Sequence, residues 1–278
     1  MESFKHKLSQ DVCYKVSAVV VRVCLTVDVE RRKNTTTFDG IDLDLSIILD
    51  LLRPLCKATF FVTGEVAEII PEAIRTIIRE GHEVSCHGLH HERFDTLELS
   101  EQLRRIDIAT QHIMNATGTR PYGFRAPQHR GNAATIRALE KLEYTYDSTV
   151  LPRTPFMRPQ AHKKWRFLFA PTSPYYPSRE NIVHRGNSTV LEMPVSTFFL
   201  PFMSELSMRS DTLSKIIASL LICKGEITDA PIIYYLHSYD GSHGTMLWLR
   251  RVIHTLQEHK VKFLTMKQLA GEYARLRS

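Results

Sequence analysis

The chain has 278 residues, of which 43% are hydrophobic and 24% are charged. Such a chain can bury a substantial core without a structural metal or disulfide bonds, so a bound metal would more readily be catalytic than structural. The net charge of +6 is too small to indicate nucleic-acid binding, and we expect no nucleic-acid partner. The charge is compatible with a phosphate-bearing substrate, an anionic membrane surface or an ordinary solvated surface.

The cysteines and the first residues of the sequence indicate where in the cell the protein is located. The five cysteines include no closely spaced pair, which favours reduced thiols over a zinc ribbon or a redox motif. The first residues lack the layout of a signal peptide, and no segment has the length and apolarity of a membrane span. We therefore expect a cytoplasmic protein, and its oligomeric state is left open.

Strand and helix patterns alternate along the first half of the chain. A β-branched apolar run over 18–27 ends at Asp28, and apolar residues at helical spacing follow from Ile41 to Leu55. The alternation continues with a strand at 58–62, a helix opened by Pro71 and closed by Gly81, a strand at 83–86, a helix at 99–118, a strand at 122–125, a helix capped by Asn132 and a strand at 144–146.

The second half contains an irregular stretch before the alternation resumes. Prolines interrupt the pattern between Leu151 and Pro177, which predicts a long loop excursion over about 151–180. The later elements are a strand at 189–193, a helix at 213–223, a strand at 232–236, a helix at 247–256, a strand at 261–264 and a helix at 266–276, the last with a capping box of Thr265 and Gln268.

This alternation predicts an α/β fold with a parallel sheet and helices outside it. About seven strand–helix units favour a barrel over an open sheet, and there is neither a GxGxxG motif after a strand nor a Walker loop. We expect a single domain over 1–278, with its core at about 18–277. In such barrels the reacting groups lie at the carboxyl ends of the strands.

Polar side chains that can bind metals or transfer protons follow four of the predicted strands. They are Asp28 and Glu30, His87 and His91, Arg125, and His237. Two imidazoles four residues apart can face the same way on a helical turn and bind one ion, usually together with a carboxylate. Taken alone, such a pair is more often part of an ordinary polar loop.

The acidic residues and the late histidine each have two interpretations. One carboxylate of Asp28 and Glu30 could bind the ion while the other accepts a proton from water, or both could belong to an acidic turn at a strand end. His237 ends an apolar strand, which suits a general acid. A core histidine bonded to the backbone is the alternative.

Several motifs occur in an order that resembles the polysaccharide deacetylase (NodB-homology) family. They are TVDVE at 26–30, ATFFV at 58–62, GHEV at 81–84, HGLHH at 87–91, FRAP at 124–127 and LH at 236–237. The resemblance implies a distorted (β/α) barrel with fewer than eight strands. It implies a divalent ion held by His87, His91 and a carboxylate. The ion is expected to be zinc, with cobalt, nickel, iron or manganese as alternatives. It also implies Asp28 as the catalytic base, His237 as the catalytic acid and Arg125 as the residue that orients the base.

The first motif departs from the common family pattern. Most members have two adjacent aspartates, the second being the ligand, whereas this chain has Val29 there. A branch of the family spaces its acids by one residue, and 28–30 is similar to that branch, so the ligand role goes to Glu30 rather than Asp28. That branch includes enzymes acting on lipid-linked sugars, cyclic imides and ureides.

We therefore expect a hydrolase that removes an acetyl or formyl group from an amino sugar of a glycan or lipid-linked sugar. Pro127, Tyr239 and Trp165 are expected to contact the substrate, and the basic and aromatic residues of 163–169 suit a sugar, a phosphate or peripheral contact with the inner membrane face. Those aromatic residues could instead simply cover the barrel. The alternatives are a hydrolase of a ureide or cyclic imide, and an inactive carbohydrate-binding domain.

Overall fold

Parallel strands form a strongly curved sheet with helices on its outer face. The computed structural model describes residues 20–32, 37–152, 167–198, 200–201, 211–240 and 243–277. The strands are β1 (Arg22–Val29), β2 (Thr59–Val62), β3 (Glu83–Cys86), β4 (Gly123–Phe124), β5 (Tyr146–Asp147), β6 (Leu191–Glu192), β7 (Thr197–Phe198), β8 (Leu200–Pro201), β9 (Ile232–His237) and β10 (Lys262–Phe263).

The strand order explains the curvature of the sheet. Seven strands run parallel in the order β9–β1–β2–β3–β4–β5–β6, while β10 pairs with the start of β1 and β7 forms a separate hairpin with β8. Beyond β6, the Ser196 backbone N–H donates to the Ile233 carbonyl of β9 at 3.0 Å, so the two edges of the sheet meet. The predicted α/β fold with a distorted barrel of about seven strands is confirmed.

The helices lie between the strands as the alternation predicts. They are α1 (Ile41–Leu52), α2 (Gly64–Ile69), α3 (Pro71–Arg79), α4 (Leu99–Thr117), α5 (Ala133–Lys141), α6 (Asp211–Thr228), α7 (His243–Glu258) and α8 (Met266–Arg277). The sequence-based prediction lacks α2, because six residues are too few to show a helical apolar period. Over the described ranges, no helix combines the length and the apolarity needed to cross a bilayer.

Period-two alternation in β1 separates two apolar layers. The outward residues belong to the large core cluster between sheet and helices: Val23, Leu25, Val27 and Val29. Cys24 belongs instead to a second cluster inside the barrel, with Phe61, Tyr146 and Ile233. Because side chains alternate along a strand, Thr26 and Asp28 share the inward face with Cys24. The interior is therefore apolar towards the start of β1 and polar towards its end.

The predicted helix caps are present. The Asn132 side chain accepts from the Thr135 N–H at 3.1 Å, and the Thr135 hydroxyl accepts from the Asn132 N–H at 2.9 Å. Gln268 Oε1 accepts from the Thr265 N–H at 2.9 Å, and Thr265 Oγ1 accepts from the Gln268 N–H at 3.3 Å. These caps satisfy backbone donors that lack intrahelical partners.

The loop excursion is described from residue 167 onward, and 153–166 lie outside the described residues. Its described part is joined to β6 by an isolated antiparallel bridge between Tyr175 and Glu192, and a second bridge pairs Pro177 with Arg185. Strands β4, β5 and β6 have two residues each and are shorter than the sequence predicts. The single-domain organisation remains a prediction.

Close packing of α2 against α4 gives a test of the fold. A Cβ on Gly64 would lie 2.8 Å from Ala109 Cα, whereas a Cβ on Gly271 in α8 would meet no atom within 4 Å. We expect Gly64→Ala to lower the free energy of unfolding by about 1–3 kcal/mol through overpacking. Gly271→Ala should leave it unchanged or raise it by about 0.5–1 kcal/mol, because alanine favours a helix. Denaturant unfolding followed by circular dichroism measures both, and equal stabilities would contradict the packing argument.

Candidate metal and catalytic site

The carboxyl ends of neighbouring strands bring the predicted polar residues to one rim of the barrel. Pairing of β1 with β9 places Asp28 opposite His237. The last residues of β3 and β4 are also paired, so His87 and Arg125, which follow them, lie at the same level. Glu30 lies one residue beyond β1. We call this edge the site rim.

Three of these residues, Glu30, His87 and His91, form a candidate binding site for one metal ion. We call these three side chains the metal cluster. Glu30 Oε2 lies 2.5 Å from His91 Nε2 and 3.2 Å from His87 Nε2. One donor atom from each residue lies within 4.8 Å of the other two. His87 is 1% exposed and Glu30 is 4% exposed, so the cluster is buried except at His91. The structure thus brings together the three residues predicted to bind a metal.

The donor chemistry of this cluster fits a divalent cation. Glu30 Oε2 is buried and accepts no hydrogen bond, although two imidazole nitrogens face it. A cation between these atoms would use lone pairs that are otherwise unsatisfied. The Nδ1 atom of His87 lies 2.8 Å from the Arg125 carbonyl oxygen, which fixes a proton on Nδ1 and leaves Nε2 free to bind metal. Two imidazoles and one carboxylate form a ligand set typical of zinc.

The loop that carries the two histidines is not helical, so the expected helical turn is wrong. Gly88 has a φ of 76° and His91 a φ of 58°, both in the left-handed region. The Gly88 carbonyl accepts from the Gly64 N–H at 2.9 Å, and the Leu89 carbonyl accepts from the Glu65 N–H at 3.0 Å. These two hydrogen bonds fix the histidine loop against the start of α2. The left-handed residues Gly88 and His91 bend its backbone, and His91 lies close to Glu30 without a helical turn.

A buried ion pair fixes the predicted base. Arg125 is fully buried, and its Nη1 donates to Asp28 Oδ1 at 2.7 Å and to Thr26 Oγ1 at 2.9 Å. Its Nε donates to the Ser148 carbonyl at 3.1 Å, and its guanidinium carbon lies 4.1 Å from the centre of the Phe61 ring. Burial opposes ionisation of Asp28, but Arg125 outweighs it together with nearby imidazoles, so the pKa of Asp28 is lowered.

The carboxylate of Glu30 is also held in its charged form. Burial would raise the pKa of Glu30, but the adjacent His87 and His91 rings lower it well below its usual range. The second oxygen of Asp28, Oδ2, lies 3.9 Å from His87 Nε2 and so faces the metal cluster. Two ionised carboxylates with different partners therefore share the rim.

His237 lies beside the base at the end of β9. Its ring stacks on Tyr239 with the centroids 4.7 Å apart and an interplanar angle of 11°, and it meets the edge of Tyr235 at 5.7 Å. The Tyr239 hydroxyl donates to Glu30 Oε1 at 3.3 Å. The tyrosine therefore connects the predicted acid to the metal cluster.

The residues predicted to contact substrate have different positions. Tyr239 lies at the rim, whereas Pro127 is buried and packs beside Gly88, where an added Cβ would lie 3.1 Å from the proline Cγ. This places Pro127 beneath the histidine loop. Trp165 lies outside the described residues.

Sequence reasoning missed His129 near the site. Its ring lies 5.1 Å from Tyr235, its Nδ1 lies 3.1 Å from the Thr149 carbonyl, and its charge helps to lower the pKa of Asp28. The feature of the sequence that could have identified His129 is its position four residues after Arg125. A strand end followed by a tight turn can return such a residue to the same rim.

Asp147, the last residue of β5, lies beside a carboxyl group and is not part of the metal cluster. It is the register partner of Glu192 in β6, and both side chains are fully buried. Burial raises the pKa of Asp147 to about 6 and that of Glu192 well above its usual value. Simultaneous ionisation of the two carboxyls is therefore disfavoured, because it would bury two like charges side by side.

Comparison with known proteins extends these observations. Residues 27–146 match the family model described as polysaccharide deacetylase. Peptidoglycan deacetylase-like protein FGM2 of Gibberella zeae is 34% identical over 103 residues, which are 37% of this chain and 30% of that protein. The peptidoglycan-N-acetylglucosamine deacetylase of Bacillus cereus is 37% identical over 92 residues, 32% of this chain and 33% of that protein. The matches thus span about a third of the length of these relatives.

A solved structure shares the fold over most of the chain. The crystal structure of a "putative polysaccharide deacetylase" from Mycobacterium smegmatis aligns with a TM-score of 0.70 at 22% identity, covering 92% of this chain and 90% of that one. The segment that matches the family model contains residues 27–30 of the first motif, the histidine loop and the arginine motif. Residues 27–146 are therefore similar to the polysaccharide deacetylase family, and the fold of this solved structure is shared over most of the chain.

Proposed function

We propose that the protein is a metal-dependent hydrolase that removes an acetyl or formyl group from the nitrogen of an amino sugar in a glycan or glycolipid. The observation that carries this proposal is the meeting of Glu30, His87 and His91 with Asp28 and His237 at one rim. The similarity to proteins named as peptidoglycan deacetylases supports a sugar polymer as the substrate class.

Glu30, His87 and His91 would hold the ion, with zinc as the first candidate and cobalt, nickel, iron or manganese as alternatives. A bound divalent ion supplies Lewis acidity towards the amide carbonyl and lowers the pKa of a water molecule. The Arg125 carbonyl fixes the orientation of the His87 ring, and the Tyr239 hydroxyl holds the second oxygen of Glu30.

Asp28 is the proposed base. One of its oxygens is bonded to Arg125, and the other faces the metal cluster. The lowered pKa keeps the carboxylate ionised, so it can accept a proton from the water that attacks the carbonyl carbon. Arg125 does not touch the reacting atoms in this scheme and acts as a positioning residue.

His237 is the proposed acid. It lies opposite Asp28 in the register of β1 and β9, and its ring is held between two tyrosines. Donation of its proton to the amide nitrogen lets the amine depart, since an unprotonated amide nitrogen leaves less readily than hydroxide. The acid and the base would then flank the scissile bond.

Two alternative functions are compatible with the same fold. A hydrolase of a ureide or cyclic imide would need the same metal, base and acid. An inactive carbohydrate-binding domain would tolerate their loss, yet Asp28, Glu30, His87, His91 and His237 are all present and assembled at one rim. The assembled site therefore favours an enzyme.

Peripheral membrane contact and a cytoplasmic location remain predictions. Trp165 and the basic residues beside it lie outside the described residues. The described part of the same excursion includes Phe169, which is 92% exposed.

Metal content distinguishes the two neighbouring histidines of the loop. We expect His91→Ala to lose the bound metal and the activity, because it removes one of the ligand atoms around Glu30 Oε2. His90→Ala is the matched control, since His90 is exposed and contacts Glu65 at 3.1 Å instead of Glu30. Elemental analysis of both purified variants measures this, and equal metal content would contradict the assignment of His91.

The proposed base and acid should be separable from metal binding. We expect Asp28→Asn and His237→Ala each to lower kcat by at least about a hundredfold, in line with general acid–base catalysis, while the metal is retained. Asparagine keeps an oxygen for Arg125, and circular dichroism would verify the fold. His254→Ala, at an exposed position in α7, is the control. Near-normal turnover of His237→Ala would remove it from the mechanism.

A substrate panel decides between the rival reactions. We expect acetate or formate release from N-acylated amino sugars and no opening of ring amides such as allantoin, with the activity abolished by a chelator and restored by zinc. Hydrolysis of ring amides alone would favour the ureide or imide alternative. A metal-loaded protein that binds glycans and turns over no amide would favour the inactive domain.

A further inference from the structure

A cavity of about 480 Å³ lies at the opposite end of the sheet from the site rim. Its wall includes Glu83, the first residue of β3, whereas His87 follows the last residue of that strand. At about 3.3 Å per residue, the two ends are roughly 13 Å apart. The volume lies in the range of small-molecule sites, so the cavity can hold a ligand without touching the metal cluster.

Two cationic side chains line this cavity without an acidic partner. Lys267 Nζ lies 4.6 Å from the centre of the Tyr122 ring, and Arg120 Nη2 donates to the Leu142 carbonyl at 2.5 Å. Neither cation pairs with a carboxylate in the described part of the chain. A guanidinium carries five N–H groups and an ammonium three, so most of these donors are available to a ligand.

The acidic residue of the wall, Glu83, uses its carboxylate oxygens for hydrogen bonds within the protein. Glu83 Oε1 accepts from the Tyr146 hydroxyl at 2.7 Å and from the Ser85 hydroxyl at 3.0 Å. Glu83 Oε2 accepts from the Thr59 hydroxyl at 2.8 Å and from the Lys267 backbone N–H at 2.9 Å. Its lone pairs are therefore used by groups of the protein.

His82 is also part of this wall. Its Nδ1 accepts from the Ala58 N–H at 3.0 Å, so the proton of the neutral ring is on Nε2. Burial, together with Lys57, lowers the pKa of His82 to about 4 and keeps the ring neutral at pH 7. The Nε2 atom is buried and has no acceptor among the described residues. His82 therefore contributes no charge to the wall at pH 7.

The start of α8 is adjacent but does not itself form the site. The Met266 N–H donates to Thr59 Oγ1 at 2.8 Å, and the next N–H, of Lys267, is bonded to Glu83. The Thr265 N–H is capped by Gln268. With these backbone donors occupied, an anion in the cavity would be bound by side chains.

We propose that this cavity is a second binding site, specific for a small anion such as a phosphate- or carboxylate-bearing sugar, held by Arg120 and Lys267. The site is independent of the metal cluster and of the proposed hydrolysis. The volume of the cavity suits a small-molecule ligand.

Isothermal titration calorimetry on the metal-loaded protein tests this proposal. The four probes are inorganic phosphate, glucose 6-phosphate, glucuronate and glucose. We expect binding of at least one anionic probe with a Kd of about 1 mM or tighter and none of glucose. Arg120→Gln with Lys267→Gln should weaken that binding at least about tenfold, because both charge-assisted bonds are lost. The control Lys215→Gln, at an exposed position in α6, should leave it unchanged.

A second measurement separates this cavity from the metal cluster, which can also attract anions. We expect His91→Ala to keep the anion affinity while it loses metal, and the Arg120→Gln, Lys267→Gln double variant to keep the hydrolytic activity. The proposal is overturned if none of the anionic probes binds at concentrations up to about 20-fold above that Kd. It is equally overturned if the double variant binds as the wild type does, or if binding disappears with the metal in His91→Ala.

Discussion

The buried ion pair between Arg125 and Asp28 is the interaction on which the site depends. A fully buried guanidinium is costly unless its donors are satisfied, and here Asp28, Thr26 and Ser148 satisfy them. These partners belong to β1 and to the chain that follows β5. The pair therefore connects the two sides of the barrel as well as holding the base.

Arg125 also acts through its backbone. Its side chain fixes one oxygen of Asp28, and its carbonyl fixes the ring of His87 at 2.8 Å. One residue thus orients both the proposed base and one proposed metal ligand. Its substitution would disturb metal binding and proton transfer together, although it touches neither the ion nor the substrate in the proposed reaction.

The two ends of the barrel differ in charge. At the site rim, Glu30 and Asp28 concentrate negative charge where a cation would bind. At the other end, Arg120 and Lys267 line a cavity whose acidic residue is already bonded within the protein. The four residues of β3 separate the two regions, so a ligand at one end need not contact a ligand at the other.

The sequence by itself determined the alternation of strands and helices, the strand ends that carry polar residues and the spacing of the acids. Because side chains alternate, Asp28 and Glu30 both face inward while Val29 packs under the helices. Tertiary structure alone decided the left-handed backbone of His91, the burial of Pro127 and the approach of His129. These features depend on hydrogen bonds and contacts between segments distant in the chain, such as Gly64 with Gly88, and no local pattern encodes such contacts.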